Sequence, residues 1–202
     1  MVGLESCAGW MGSKNTTRRI IRRILMDMEE LIRGAEISLC GKYRYRLTRL
    51  WDRSRPRLGV IMLNPSTADA DKDDPTIRKV MEFAKRLGYG GIEVVNLFAL
   101  RATKQKDLWA AVEKDGYSAA VGASNDISFK EMLSCTAAVM CAWGVEDKKD
   151  NIRSRVNWLH LHVFNENIKL FDIGKTQGGS PRHPLYVPYS AVDAVPDAYK
   201  VA

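Results

Sequence analysis

Four short apolar or nearly apolar runs frame the chain: residues 58–63, 92–97, 137–142 and 168–173. Runs of this length that end in turn chemistry predict strands buried on both faces, the usual state in a parallel sheet. The first is the most sharply bounded, passing into Asn64-Pro65-Ser66 and then a polar stretch as far as Asp74. A helix is predicted next, with Asp74 as N-cap, Pro75 at the first helical position, and a stripe of Ile77, Val80, Met81, Ala84 and Leu87 closed by Gly88. Residues 107–112 predict a short helix, 125–133 part of a longer one, and 151–164 another. Upstream, Ile20, Ile21, Ile24, Leu25, Met28, Leu31 and Ile32 recur at helical spacing, which predicts a helix from Asn15 or Thr16 to a stop at Gly34. Residues 42–51 alternate as a strand does, with Tyr43, Tyr45 and Leu47 on one side and Lys42, Arg44 and Arg46 on the other. Arg49 interrupts the apolar side, which points to a bulge or an edge position.

Strands alternating with helices predict parallel β-α-β units. The expected fold is a three-layer α/β/α sandwich around a central, mainly parallel four-stranded sheet, with an extra N-terminal helix and an edge strand. Residues 1–40 are read as an accessory segment and 41–202 as the α/β domain, ending in an irregular tail.

Length and composition leave that picture intact: 202 residues, 46% hydrophobic, suit one domain with an appendage. No apolar run approaches the ~20 residues that cross a bilayer. Residues 1–14 lack the basic-then-apolar pattern of an export signal. The expectation is a cytoplasmic protein with no membrane partner. Cys7, Cys40, Cys135 and Cys141 lack the close paired spacing of a metal site, so no metal and no other cofactor is expected. Charge adds more. Of the net +7, most sits in residues 42–57, where Lys42, Arg44, Arg46, Arg49, Arg53, Arg55 and Arg57 face the single acid Asp52. Such a segment either attracts a polyanion or protects an edge strand by its charges.

Two motifs fail on inspection. Gly174-Lys175-Thr176 resembles the end of a phosphate-binding loop, but the first glycine such a loop needs falls at Lys169. Gly88-Tyr89-Gly90-Gly91 follows a helix and precedes a strand, so it is a helix stop. His160 and His162, two apart on a helix, point in different directions and are read as structural. What remains is a set of polar residues at the ends of successive strands: Asn64, Pro65 and Ser66, then Asn96, Phe98 and Arg101, then Trp143-Gly144, then Arg182-His183-Pro184-Leu185-Tyr186. In a parallel sheet these ends share one edge, where ligands bind in open α/β folds. Individually, Asn64 can cap a turn, Asn96 can satisfy backbone groups, and His183 can be a turn residue.

In that order the motifs resemble the uracil-DNA glycosylase superfamily, and its mismatch-specific branch in having Asn64-Pro65 after the first core strand. The matching segments are Leu63-Asn64-Pro65-Ser66, Val95-Asn96-Leu97-Phe98, Ala142-Trp143-Gly144 and Arg182-His183-Pro184-Leu185. The chain resembles more closely a family of bacterial and phage proteins known only as a domain of unknown function. That likeness runs through Leu63-Asn64-Pro65-Ser66-Thr67-Ala68-Asp69, Asn96-Leu97-Phe98-Ala99-Leu100-Arg101 and Pro181-Arg182-His183-Pro184-Leu185-Tyr186. Leu185 stands where the superfamily has Ser, and Asn64 replaces the carboxylate of its most efficient branch. The expected target is therefore a damaged or modified base, of the kind some phage DNA carries.

The resemblance implies a metal-independent DNA glycosylase that flips a nucleotide out of double-stranded DNA and hydrolyses its N-glycosidic bond. Asn64 would position the water, with Asp69 or Asp74 as supporting carboxylates. Asn96 would read the base edge, and Phe98 or Trp143 would stack on it. Pro65 and Ser66 would line the pocket. His183 would hydrogen-bond the departing base. Leu185 or Tyr186 would wedge into the duplex, and Arg44, Arg46, Arg101 and Arg182 would hold phosphates. The protein would act as a monomer, in repair, modified-base metabolism or defence against phage DNA. The alternatives are a hydrolase or transferase of free nucleosides or nucleotides, and a non-catalytic nucleic-acid-binding module.

Overall fold

A computed structural model describes residues 31–66, 68–144, 149–164 and 167–201. The expected α/β sandwich is present, and its sheet has six strands: β1 (Ile32–Ile37), β2 (Arg44–Leu50), β3 (Arg57–Met62), β4 (Gly91–Asn96), β5 (Ala138–Cys141) and β6 (Leu170–Asp172). They lie in the order β1-β2-β4-β3-β5-β6. The pairs β4–β3, β3–β5 and β5–β6 are parallel, whereas β2 joins β4, and β1 joins β2, antiparallel. The helices are α1 (Pro75–Arg86), α2 (Gln105–Asp115), α3 (Tyr117–Val121), α4 (Asn125–Ser134) and α5 (Lys149–His162). No helix among the described residues is long and apolar enough to cross a membrane.

Two readings are corrected here. The helix expected from Asn15 or Thr16 lies outside the described residues as far as 30, but its last turn, Ile32 to Gly34, is part of strand β1. Residues 42–51 are not an edge strand either: β2 is flanked on both sides, and β1 takes the edge. The expected bulge exists but not at Arg49. Glu36 pairs with Arg46 and Ile37 with Arg44, so Tyr45 is the extra residue. A bulge shifts side-chain alternation. Arg44 is thereby turned to the face of Leu47 and Arg49, while Arg46 stays on the opposite face with Thr48.

Side-chain alternation divides the core in two. On face I, Leu58, Val60, Ile92, Val94 and Met140 pack against Ile77, Val80 and Phe83 of α1 and against Val187, Val192 and Val195 of the tail. On face II, Ile61, Val95, Leu97 and Val139 meet Leu108, Phe129, Met132, Ile152 and Leu159 of the other helices. Right-handed crossovers account for this split. The chain steps from β3 one way to β4, then back across β3 to β5 and onward to β6, so α1 and the later helices fall on opposite faces. The carboxyl end of β3 is therefore the topological switch point, where the fold opens a crevice.

Helix α1 begins as its sequence dictates. Asp74 Oδ1 accepts from the Ile77 amide at 2.8 Å, and Pro75 opens the helix. Arg49, fully buried on face I, is held by a complete fork: Nε donates to Asp73 Oδ1 at 2.7 Å and Nη2 to the Asp69 carbonyl at 2.6 Å. Its partner, 24 residues away, is what allows a charge in an apolar strand face. The tail is not irregular throughout; it makes three 3-10 turns, at Pro184–Tyr186, Tyr189–Ala194 and Asp197–Tyr199.

Candidate functional site

The loops after β3 and β4 are stitched together. Asn64 Nδ2 donates to the Ala102 carbonyl at 2.6 Å and the Pro65 carbonyl at 3.2 Å, and the Ala102 amide returns a bond to Pro65. With both amide hydrogens taken, Asn64 has Oδ1 left to accept a hydrogen bond. Pro65 is buried and Ser66 half-buried beside it.

The acids that follow have separate tasks. Asp69 Oδ1 accepts from the amides of Asp71 and Lys72, and these bonds hold its carboxyl below the usual carboxylate range. Asp73 pairs with Arg49 and with Arg33. Asp74 caps α1. Asp69 is thus a turn-forming carboxylate, and its proposed part in activating water has no geometric support; Asp74 is the acid that reaches the site electrostatically.

Asn96 ends β4 on the face-I side, next to Met62 of β3 in the register. It is buried, and among the described residues neither Oδ1 nor Nδ2 has a hydrogen-bond partner. A buried carboxamide without partners is costly, which marks a group reserved for a ligand or water. Phe98 is different. It is fully buried on face II, with the rings of Trp109 and Tyr117 edge-on at 5.5 and 5.6 Å. The proposed stacking on a base is corrected for Phe98: its ring is already enclosed. Trp143 is half-buried against the face-II cluster.

The last loop reaches the same edge. Gly144 donates to the Pro181 carbonyl at 2.9 Å, and a Cβ at Gly144, whose φ is 84°, would lie 2.9 Å from His183 Cβ. Only glycine meets both demands. His183 accepts at Nδ1 from the Leu185 amide at 3.3 Å, so its neutral tautomer carries the proton on Nε2. Burial pulls its pKa below the ordinary histidine value, with Asp74 opposing that shift. The loop is fastened to α1 by Lys79, which donates to the Leu185 carbonyl at 3.0 Å. Nothing in the sequence signals Lys79 beyond its place on the solvated side of a helix. Tyr186, 79% exposed, and Leu185 stand at the surface, the Tyr186 ring 5.7 Å from His183. Arg182 is also exposed.

The basic segment is largely consumed within the molecule. Arg46 faces Glu36, Glu131 and Glu93 at 2.5, 3.5 and 3.9 Å. Arg57 pairs with buried Glu93, and Arg55 faces Asp52. Arg44 is 2% exposed, with Nη1 donating to the Ala68 carbonyl at 2.9 Å. Arg46, tied to three carboxylates, is not free for a phosphate, which corrects the expectation for it; Arg44 is buried and stands on no exposed duplex-facing surface. Arg101 is half-buried and donates to the Gly41 carbonyl.

Gly144 packs on His183 and Asp74 acts on it electrostatically, while Asn64 and Asn96 stand at the ends of the adjacent strands β3 and β4; Phe98, Asp69 and Arg46 have structural tasks. Two clefts of about 430 and 450 Å³ lie elsewhere, one at the amino ends of β5 and β6 and one on face II beside Tyr117 and Trp158. Among the described residues no group of three or more His, Cys, Asp or Glu is placed to hold a metal ion. The family model described as "Protein of unknown function (DUF1643)" matches residues 44–185, a span that opens on β2 and closes on the His183 loop. No curated protein and no solved structure matches the chain.

Proposed function

The chain belongs to the DUF1643 family, and on that footing we propose that it is a metal-independent DNA glycosylase, related to the uracil-DNA glycosylase superfamily, that releases a damaged or modified base. One observation carries the reading. His183 is held with Nδ1 as acceptor and a depressed pKa, so at neutral pH it presents an uncharged Nε2–H donor, on a loop that returns to the sheet edge where Asn64 follows β3 and Asn96 ends β4. A base leaving a sugar takes the glycosidic electron pair, and a preorganised donor stabilises the charge that develops on it. A water oxygen bonds to C1′ as the C1′–N bond breaks; one of the water's protons passes through solvent to the departing base, and the other stays on the new C1′ hydroxyl. Asn64 Oδ1 orients that water. Asn96 reads the base edge with its paired donor and acceptor, and Trp143 is the aromatic left to stack on it. Arg101 and Arg182 contact phosphate, with Leu185 or Tyr186 filling the vacated stack.

The test is incubation with genomic DNAs carrying different base modifications, scored as strand breaks after alkali. His183→Ala should cut base release about 100- to 1,000-fold, the usual cost of a lost transition-state donor, and Asn64→Ala, which loses the acceptor that orients the water, should also sharply reduce it, while DNA binding persists in both. Activity should survive EDTA. No abasic product on any DNA, or wild-type rates in both variants, overturns the proposal. The internal use of Arg44, Arg46, Arg55 and Arg57 favours a second reading, a free nucleoside or nucleotide as substrate. Hydrolysis of free nucleosides without any of duplex DNA would decide for it.

A further inference from the structure

Arg44 differs from the other deeply buried arginines. Arg49 is paired with Asp73 at 2.7 Å, and Arg155 with Asp126 at 2.5 Å while its Nε donates to the Leu97 carbonyl. Arg44, buried to the same degree, makes among the described residues one side-chain bond, to the neutral carbonyl of Ala68. Among the described residues no carboxylate lies within ion-pair distance of it, and its Nε has no partner. A buried cation without a counter-ion is among the costlier arrangements a fold can keep. Burial accordingly draws the guanidinium pKa down to about 10, with Asp74 and Asp69 only partly offsetting it, so the group is still charged at neutral pH.

The position is specific. The extra residue Tyr45 turns Arg44 onto face I. The Arg44 amide donates to the Ala99 carbonyl, three residues beyond Asn96 on the neighbouring chain segment. The guanidinium therefore lies beside the loop that carries Asn64, and Asn96 ends the neighbouring strand β4 on the same face. Two buried polar groups with unpartnered atoms, one cationic and one a carboxamide, thus belong to the same face and the same sheet edge.

We propose that Arg44 is the anion receptor of this site and that the ligand presents an oxyanion, a phosphate or a carboxylate, to its Nε. The inference shares its site with the function proposed above but not its chemistry, since it concerns binding alone. A nucleotide would bring the oxyanion on its sugar, and an acidic base would bring it on the ring.

Isothermal titration of the whole protein separates the two sources. One arm compares inorganic phosphate and nucleoside 5′-monophosphates with the unphosphorylated nucleosides. The other compares uracil-6-carboxylate with uracil. In at least one arm the anion should bind more tightly than its neutral counterpart. Arg44→Met should then lose about tenfold or more of that binding, the usual worth of a charged hydrogen bond. Arg44→Lys should fall between. Thermal unfolding of Arg44→Met without ligand should be no lower than wild type, because an uncompensated charge has been removed. If the Met variant does not fold, Arg44→Gln gives the same titration readout. The inference is overturned if no anion is preferred in either arm, or if the variants bind the anion as wild type does. Anion binding without base release from any substrate would sink the glycosylase reading and leave the receptor standing. Base release at the wild-type rate in Arg44→Met would do the reverse.

Discussion

The loop that leaves β3 and the loop that carries His183 meet at one sheet edge, yet they use their polar atoms in opposite ways. Between Asp69 and Asp74 the carboxylates are bound: Asp69 by two amides, Asp73 by two arginines, Asp74 by the first turn of α1. In the last loop the backbone is fixed by Gly144, Gly174 and Lys79, and the side chains of His183, Leu185 and Tyr186 are left to face outward or into the site. The first loop is architecture, with Asn64 at its head keeping one amide oxygen able to accept. The second is a presented set of side chains on a braced backbone. A run of acids in a sequence suggests catalysis, but the capacity for chemistry lies with the atoms still able to bond.

The largest expected effect tests the architectural half. Asp73→Ala leaves Arg49 fully buried without its carboxylate, and breaking such a pair costs about 3–5 kcal/mol. Chemical denaturation should show that loss. A change below about 1 kcal/mol would mean that the carbonyls of Asp69, Thr48 and Gly34 suffice for Arg49.

Gly144→Ala comes next. An L-residue at φ 84° costs about 1–2 kcal/mol, and its Cβ would press on His183. Gly179→Ala is the control, with φ 85° and nothing within 4 Å of the new Cβ. Both variants should lose the stability that the positive φ costs, Gly144→Ala somewhat more through its contact with His183, and Gly144→Ala alone should lose base release. Equal activities would remove His183 from the centre of the comparison.

How much of this could be read from the chain depends on distance in sequence. The parallel strands were legible because burial on both faces writes itself as an apolar run. Strand β1 was not: Leu31 and Ile32 complete a helical stripe, and only pairing with β2 makes Ile32–Ile37 a strand. Arg49 looks like a flaw in an apolar face until Asp73, in the loop that follows β3, is seen to reach it. At the site, Asn64, Asn96 and His183 were legible as strand-end residues in a fixed order. The division of labour among Asp69, Asp73 and Asp74 was not, because four acids within six residues differ only in what approaches them. Arg44 was hidden by one bulge, which reverses the face that alternation assigns to it.

Asp74 links the two loops, so its variants separate cap from charge. Asp74→Ala should cost about 1 kcal/mol as a lost N-cap, whereas Asp74→Asn keeps the cap and loses only the charge. That charge opposes the burial-driven lowering of the His183 pKa. If neutral His183 is the donor to the departing base, base release should fall as pH drops through the depressed pKa, and in Asp74→Asn this acid limb should move to lower pH. The same depression links to stability. Folded His183 binds fewer protons than unfolded, so its contribution is complete above the ordinary histidine range of roughly pH 6.5 and is lost as pH falls through the depressed value. Complete loss of base release in Asp74→Asn at every pH would instead make Asp74 the carboxylate that activates water.

Tyr186→Ala should disturb the fold least and discriminate most between substrates. The ring is 79% exposed, and its one ring neighbour among the described residues is His183 at 5.7 Å. Stability should therefore change by no more than about 0.5 kcal/mol, as for most surface substitutions. Stacking on a nucleobase contributes about 1–3 kcal/mol, so affinity for DNA should weaken roughly tenfold if Tyr186 fills the space left by a flipped nucleotide. Hydrolysis of a free nucleoside involves no such space and should be unchanged by the same substitution. A variant that loses both activities equally would place Tyr186 inside the base pocket through its contact with His183. A variant that loses neither would leave Leu185 as the residue of this loop that enters the duplex, or favour the free nucleoside as substrate.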